Sequence, residues 1–120
     1  MTIACVFPGQ GSQKVGMLDA FAAQPEVAGL LAAADAALGE PLSALIANGP
    51  AEDLALTVNT QPAMLLAGYA CYLAWRAAGG PAADLVAGHS LGEYTALVAA
   101  GAIEPADAVP LVRLRAAAMQ

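Results

Sequence analysis

The spacing of hydrophobic positions changes several times along this chain, and each change predicts an element. From Ile3 to Phe7 the residues are β-prone without polar alternation, the pattern of a buried parallel strand, and the run stops at Pro8. A glycine-containing loop, Gly9 to Gly16, follows. Between Pro25 and Leu38 apolar residues recur at helical spacing until Gly39 ends the pattern, and Pro41 to Asn48 reads as a short helix closed by Gly49 and Pro50. The next helix is predicted from Asn59 or Thr60, as capping residue, to Ala78, with Pro62 in the first turn and Gly79-Gly80 as its stop. It is apolar on nearly all sides and is expected to be buried. Asp84 to Gly88 repeats the strand pattern, and Leu91 to Ala100 reads as a helix stopped by Gly101. A last helix is expected to begin near Pro105, with Pro110 kinking it or delaying its start.

Strand–loop–helix units at both ends, with helices between them, point to an α/β fold of short parallel strands and surrounding helices. Only two strands are legible, and two strands do not make a stable sheet alone. The 120 residues are therefore expected to be part of a larger α/β domain, with no second domain visible. Composition agrees with a packed chain: 59% of residues are hydrophobic and 12% charged, which excludes disorder. Ten acidic and four basic residues give a net charge of −6, and Lys14, Arg76, Arg113 and Arg115 form no run that could follow a phosphate backbone. Nucleic acid is not an expected partner. A signal peptide's charged start and long apolar middle are both missing, and the apolar stretch around Ala63 to Trp75 falls short of the ~20 residues a membrane span needs. The expected location is the cytoplasm, away from membranes. Cys5 and Cys71 lack Cys-x-x-Cys spacing, so neither a disulfide framework nor a metal site is expected, and both are read as small core residues.

Gly88-His89-Ser90-Leu91-Gly92 has the form Gly-x-Ser-x-Gly and lies between a predicted strand and a predicted helix. A sharp strand-to-helix turn brings neighbouring chain close to the serine, and glycines two residues to either side avoid the clashes a Cβ would cause. The turn exposes the serine hydroxyl, and the helix start places unpaired N–H groups and a positive dipole end beside it, where an oxyanion would develop during acyl transfer. The pentapeptide alone fits an ordinary helix-capping serine between turn glycines equally well. A second segment, Phe7-Pro8-Gly9-Gln10-Gly11-Ser12-Gln13, leaves the first strand on the side of a parallel sheet where ligands usually bind. In α/β enzymes such a loop commonly completes the oxyanion site. No Gly-Lys-Ser/Thr follows it, which disfavours a phosphate loop and leaves a simple glycine-rich turn as the other reading.

Three motifs together, the Phe7 to Gln13 segment, Asn59-Thr60-Gln61-Pro62-Ala63 and Gly88 to Tyr94, carry a resemblance to the malonyl-CoA:acyl carrier protein transacylase family. Their order and separation agree with that family from Ile3 to the end of the chain. The resemblance implies the α/β-hydrolase-like acyltransferase core, with malonyl-CoA and acyl carrier protein as partners and fatty acid synthesis as the setting. It implies Ser90 as the acylated nucleophile, with Gln10 and the Leu91 N–H as oxyanion donors. Arg115 resembles the arginine that pairs with the free malonyl carboxylate, and Gln61 a residue near a helix start that faces the site; a plain polar first-turn residue is the other reading of Gln61. Guanidinium offers two parallel donors that match a carboxylate, which suits the role given to Arg115.

Arg113, two positions away, is expected to face elsewhere and to be solvated. His89, the sole histidine, is adjacent to Ser90 at a tight turn where neighbouring side chains point apart, so it is not the base. The family's base is a histidine beyond Gln120, and the chain is thus read as the N-terminal, nucleophile-bearing part of such an enzyme, nearly inactive alone and monomeric when full length. No metal or redox cofactor is expected. Glu93 is read as a helix-start carboxylate, and Lys14 as a residue that could touch a coenzyme phosphate or the acidic carrier. The alternatives are an acyltransferase of polyketide synthesis or malonate decarboxylation, a patatin-like serine hydrolase, and a non-catalytic binding module.

Overall fold

Two short strands, β1 (Ala4–Phe7) and β2 (Leu85–Gly88), pair in parallel in a computed structural model that describes residues 1–120. Ala4 stands opposite Leu85 and Phe7 opposite Gly88. The register is pinned below the first pair, where the Ile3 N–H donates to Asp84 Oδ2 at 2.8 Å and the Asp84 N–H donates to the Ile3 carbonyl at 2.8 Å. Between the strands run α1 (Pro25–Leu38), α2 (Leu42–Asn48), α3 (Ala51–Leu54) and α4 (Thr57–Ala77); after β2 come α5 (Leu91–Ala99) and α6 (Pro105–Met119). This is the mixed α/β arrangement with short parallel strands that the sequence pattern predicts.

The core is built around α4. Ala63, Leu65, Leu66 and Ala70 on this helix are wholly buried, against Val27 of α1, Ile46 of α2, Leu54 of α3, Leu91 of α5 and Val109 and Val112 of α6. Helix α1 stops where expected, at Gly39, whose left-handed backbone (φ 66°) lets its N–H reach the Asp35 carbonyl at 2.8 Å. Asp35 then starts the next helix: its carboxylate accepts the Ser43 N–H at 2.9 Å and the Ser43 hydroxyl at 2.5 Å, satisfying an orphan donor in the first turn of α2.

Several sequence expectations need correction. Helix α4 begins at Thr57, not Asn59 or Thr60, because the Asn59 amide is used elsewhere and donates to the Asp53 carbonyl of α3 at 2.9 Å. The Thr60 hydroxyl likewise turns back to the Leu54 carbonyl at 2.5 Å. Pro62 therefore stands in the second turn, where its missing N–H leaves the Val58 carbonyl without its helical partner. Pro110 does not delay α6, which begins at Pro105 and contains it. The four-residue helix α3 is too short for any periodicity to reveal it.

The strands are less covered than their unbroken apolar run predicts. Phe7 is buried, but Val6 is 74% and Leu85 62% exposed, since each strand has a neighbour on one side only. Cys5 and Cys71 are not core residues either: Cys5 is half-buried and Cys71 exposed. Both line an apolar groove of about 450 Å³ between β1 and α4. Burial against its walls still pushes the Cys71 thiol pKa up, which keeps the thiol protonated near neutral pH. No helix is long and apolar enough to cross a membrane.

Gly68 of α4 is a point of close packing against α5 and β1. A Cβ there would stand 2.8 Å from Thr95 Cγ2 and 3.3 Å from Phe7 Cδ1. Thr95 is wholly buried and β-branched, so its methyl cannot swing away. Gly68→Ala is expected to cost roughly 1–3 kcal/mol. A urea unfolding curve whose midpoint matches the parent's would contradict this packing.

Candidate active site

Strand β2 ends at Gly88 and α5 starts at Leu91, so His89 and Ser90 alone turn the chain through the corner. Ser90 has φ 55° and ψ −113°, and it is the one non-glycine residue in the chain with positive φ. A non-glycine residue held there costs of order 1–3 kcal/mol and persists only where its surroundings over-determine it. The surroundings here are backbone. A Cβ on Gly88 would fall inside the Gly92 carbonyl group, and one on Gly92 inside the Phe7 carbonyl and 3.0 Å from the Pro8 oxygen. The His89 N–H donates to the Phe7 carbonyl at 3.2 Å, and the Gly92 and Glu93 N–H groups donate to the His89 and Ser90 carbonyls at 2.9 and 3.0 Å. The end of β1, the corner and the first turn of α5 therefore touch main chain to main chain.

This geometry leaves the Ser90 hydroxyl half-exposed, with the Leu91 N–H next along the chain. As the first residue of α5, Leu91 has no helical acceptor for that N–H, which lies at the positive end of the helix dipole. The other loop meets the same corner: a Cβ on Gly9 would stand 2.9 Å from the His89 carbonyl and 3.8 Å from Ser90 Cβ. Gln10, the next residue, is exposed, and the loop around it is shaped by the Gly11 N–H donating to Gln13 Oε1 at 2.8 Å.

Helix α6 delivers a cation to the serine. Arg115 Nη2 donates to Ser90 Oγ at 3.1 Å, while Nη1 donates to Gln61 Oε1 at 2.6 Å. Its Cζ lies 5.3 Å from the centroid of the Tyr94 ring, in cation–π range. Gln61 is wholly buried on α4, and its Nε2 has only a weak acceptor, Met119 Sδ at 3.5 Å. The structure thus brings Ser90, Leu91, Gln61 and Arg115 together, with the Gln10 loop against them. Tyr94 is an addition to the residues read from the sequence; it follows Ser90 by four positions, the spacing that puts two residues on one helix face.

Arg113 does face elsewhere on α6, but not toward water. It pairs with Glu40 at 2.5 Å, its Nη2 donates to Asn59 Oδ1 at 3.4 Å, and its side chain is only 21% exposed. Two positions along a helix turned it from the serine onto the junction of α1, α2 and α4. His89 is exposed, and its side chain makes no hydrogen bond to Ser90, whose hydroxyl is joined to Arg115 alone. Glu93 sits exposed in the first turn of α5, and Lys14 is exposed in the first loop. No cluster of three or more His, Cys, Asp or Glu side chains is placed to hold a metal ion.

A serine held at positive φ at a strand-to-helix corner, beside a helix start and an arginine, is an arrangement chemically suited to nucleophilic acyl transfer. The sequence comparisons agree: residues 4–120 match the acyl transferase domain, and the chain belongs to that family. It is 57% identical over 118 residues to the malonyl CoA-acyl carrier protein transacylase of Escherichia coli K12, covering 98% of this chain and 38% of that protein. Among solved structures, the acyl-carrier-protein S-malonyltransferase of Burkholderia pseudomallei superposes with a TM-score of 0.95 at 64% identity, over 99% of this chain and 39% of the other. A malonyl-transacylase in complex with a type II PKS acyl-carrier protein superposes with a TM-score of 0.93 at 50% identity, over 100% of this chain and 39% of the other. The chain thus spans somewhat over a third of the length of these relatives.

Gly92→Ala offers the sharpest test of the corner, since its obstacle is backbone that cannot rotate away. The expected loss exceeds ~3 kcal/mol, at the upper end for overpacking. Retention of the parent's circular dichroism spectrum and melting transition would show that the strand and helix do not meet as described.

Proposed function

We propose that these residues form the acyl-accepting part of a malonyl transferase that takes malonyl from coenzyme A and passes it to the phosphopantetheine thiol of an acyl carrier protein. One observation carries the reading: a guanidinium free of any carboxylate partner lies 3.1 Å from the hydroxyl of the strained Ser90. Malonyl keeps a negative carboxylate after thioester formation, and a bidentate cation beside the nucleophile suits that group.

In the first stage Ser90 Oγ attacks the thioester carbonyl carbon. The carbonyl electron pair moves onto oxygen, where the Leu91 N–H and the Gln10 loop would receive it, and the serine proton passes to a base. The tetrahedral adduct collapses with loss of coenzyme A, leaving a seryl ester. In the second stage the carrier thiol repeats the sequence on that ester, which makes the reaction ping-pong. The thioester supplies the activated acyl group, so the chemistry calls for no metal or redox cofactor. An unassisted serine hydroxyl is weakly nucleophilic at neutral pH, and His89 does not reach Oγ. We therefore place the base outside these 120 residues, and expect this stretch alone to be nearly inactive. The complex of a related malonyl-transacylase with a type II PKS acyl-carrier protein supports a carrier of polyketide synthesis as the second reading beside one of fatty acid synthesis.

Incubating the full-length gene product with labelled malonyl-CoA is expected to place one label on Ser90, with none retained by Ser90→Ala. Label persisting in that variant rejects the nucleophile. Release of malonate to water as fast as transfer to a carrier thiol would favour a hydrolase instead.

A further inference from the structure

We infer that Gln61 is a positioning residue which holds Arg115 beside Ser90 while leaving its charge uncompensated, and that this neutrality sets the preference for acyl groups bearing a carboxylate. The inference deepens the malonyl-transfer reading and rests on it.

Arg115 has three contacts that fix its place: the Gln61 amide oxygen at 2.6 Å, the Ser90 hydroxyl at 3.1 Å and the face of Tyr94. None carries a formal negative charge. The chain's single side-chain ion pair is Arg113 with Glu40, on another face of α6. Guanidinium has donors and no acceptor, so Gln61 must present its oxygen to it, and the amide orientation follows. Gln61 itself has no freedom to leave. It is wholly buried in α4 between packed core residues, and its own N–H group has only the Met119 sulfur to bond.

A glutamate would have the same length and shape at this position. Its carboxylate would also hold Arg115, in a charge-assisted bond roughly twice as strong as a neutral one. The cation would then be neutralised before any substrate arrived, and an incoming carboxylate would have to displace a resident one. Glutamine gives the geometry of a salt bridge without its charge. The net preference for an anionic acyl group therefore depends on an uncharged buried side chain that need not touch the substrate.

The test measures Ser90 ester formation from malonyl-CoA and from acetyl-CoA, as the ratio of the two kcat/KM values, in the full-length gene product and its Gln61→Glu and Gln61→Met variants. Gln61→Glu is expected to lower the malonyl-to-acetyl ratio by at least about tenfold, the scale of one hydrogen bond to a charged group. Gln61→Met removes one anchor but leaves the charge and the contacts to Tyr94 and Ser90, and its ratio is expected to fall less. A purely structural role would lower both substrates together and leave the ratio unmoved. A Gln61→Glu ratio equal to the parent's, or a Gln61→Met ratio that falls as far, overturns the inference. Should Gln61→Glu lack a cooperative melting transition, Gln61→Met decides, and an unchanged ratio there overturns it. A parent protein with no preference for malonyl-CoA fails the underlying functional reading instead.

Discussion

Main-chain contact among Phe7, Gly88 and Gly92 is the constraint on which the site depends. Pairing of Phe7 with Gly88 brings the ends of both strands level, and the absent Cβ atoms at Gly88 and Gly92 let α5 start directly against them. The corner then has room for only two residues. Ser90 takes a positive φ at this two-residue corner, and the strain is carried by the hydrogen bonds on either side of it. The same contact aims the start of α5, with its unsatisfied N–H and positive end, at the hydroxyl.

Much of this was legible because the chemistry and the backbone geometry share a short segment. Gly88 to Gly92 contains the corner serine, the two glycines the corner requires and the first helical N–H, so a local pattern specifies a local structure. Gly39 and Gly101 ended their helices as expected for the same reason. The start of α4 was not legible, since Asn59 and Thr60 are good capping residues by composition and tertiary structure turned both toward carbonyls of the preceding segment. The setting of Arg113 was hidden too. Helical phase separates it from Arg115, but only the folded chain brings Glu40 and Asn59 to meet it. Exposure of the strands could not be read either, because an apolar run reports what a strand is suited to and not how many neighbours it has.

The cation reaches the serine by a different route, through helix packing. Ser90 and Arg115 are joined by the way α4, α5 and α6 share one core, with Leu65 and Leu66 of α4 buried against Leu91 of α5 and Val109 and Val112 of α6. Gln61 is the polar interruption in that core. It lies within eight consecutive buried residues, Thr60 to Ala67, and an amide that deep costs stability unless bonded. The guanidinium meets that need, so the requirement that a buried amide be satisfied and the requirement that Arg115 be held still are one interaction.

Charge completes the argument. The chain carries a net charge of −6, yet its four cations are distributed so that only one serves the serine. Arg113 is paired with Glu40, Arg76 donates to the Gly80 carbonyl just past its own helix, and Lys14 stands exposed in a loop. Arg115 alone combines partial burial, neutral partners and contact with the hydroxyl. A partly desolvated charge is screened less than an exposed one, so its field acts where Ser90 would meet an acyl group while the acidic surface repels anions elsewhere. Under the proposed malonyl-transfer reading, an anionic acyl chain is favoured at this corner despite the net charge of these 120 residues, because short-range placement outweighs net charge over the few ångströms separating the arginine from the serine.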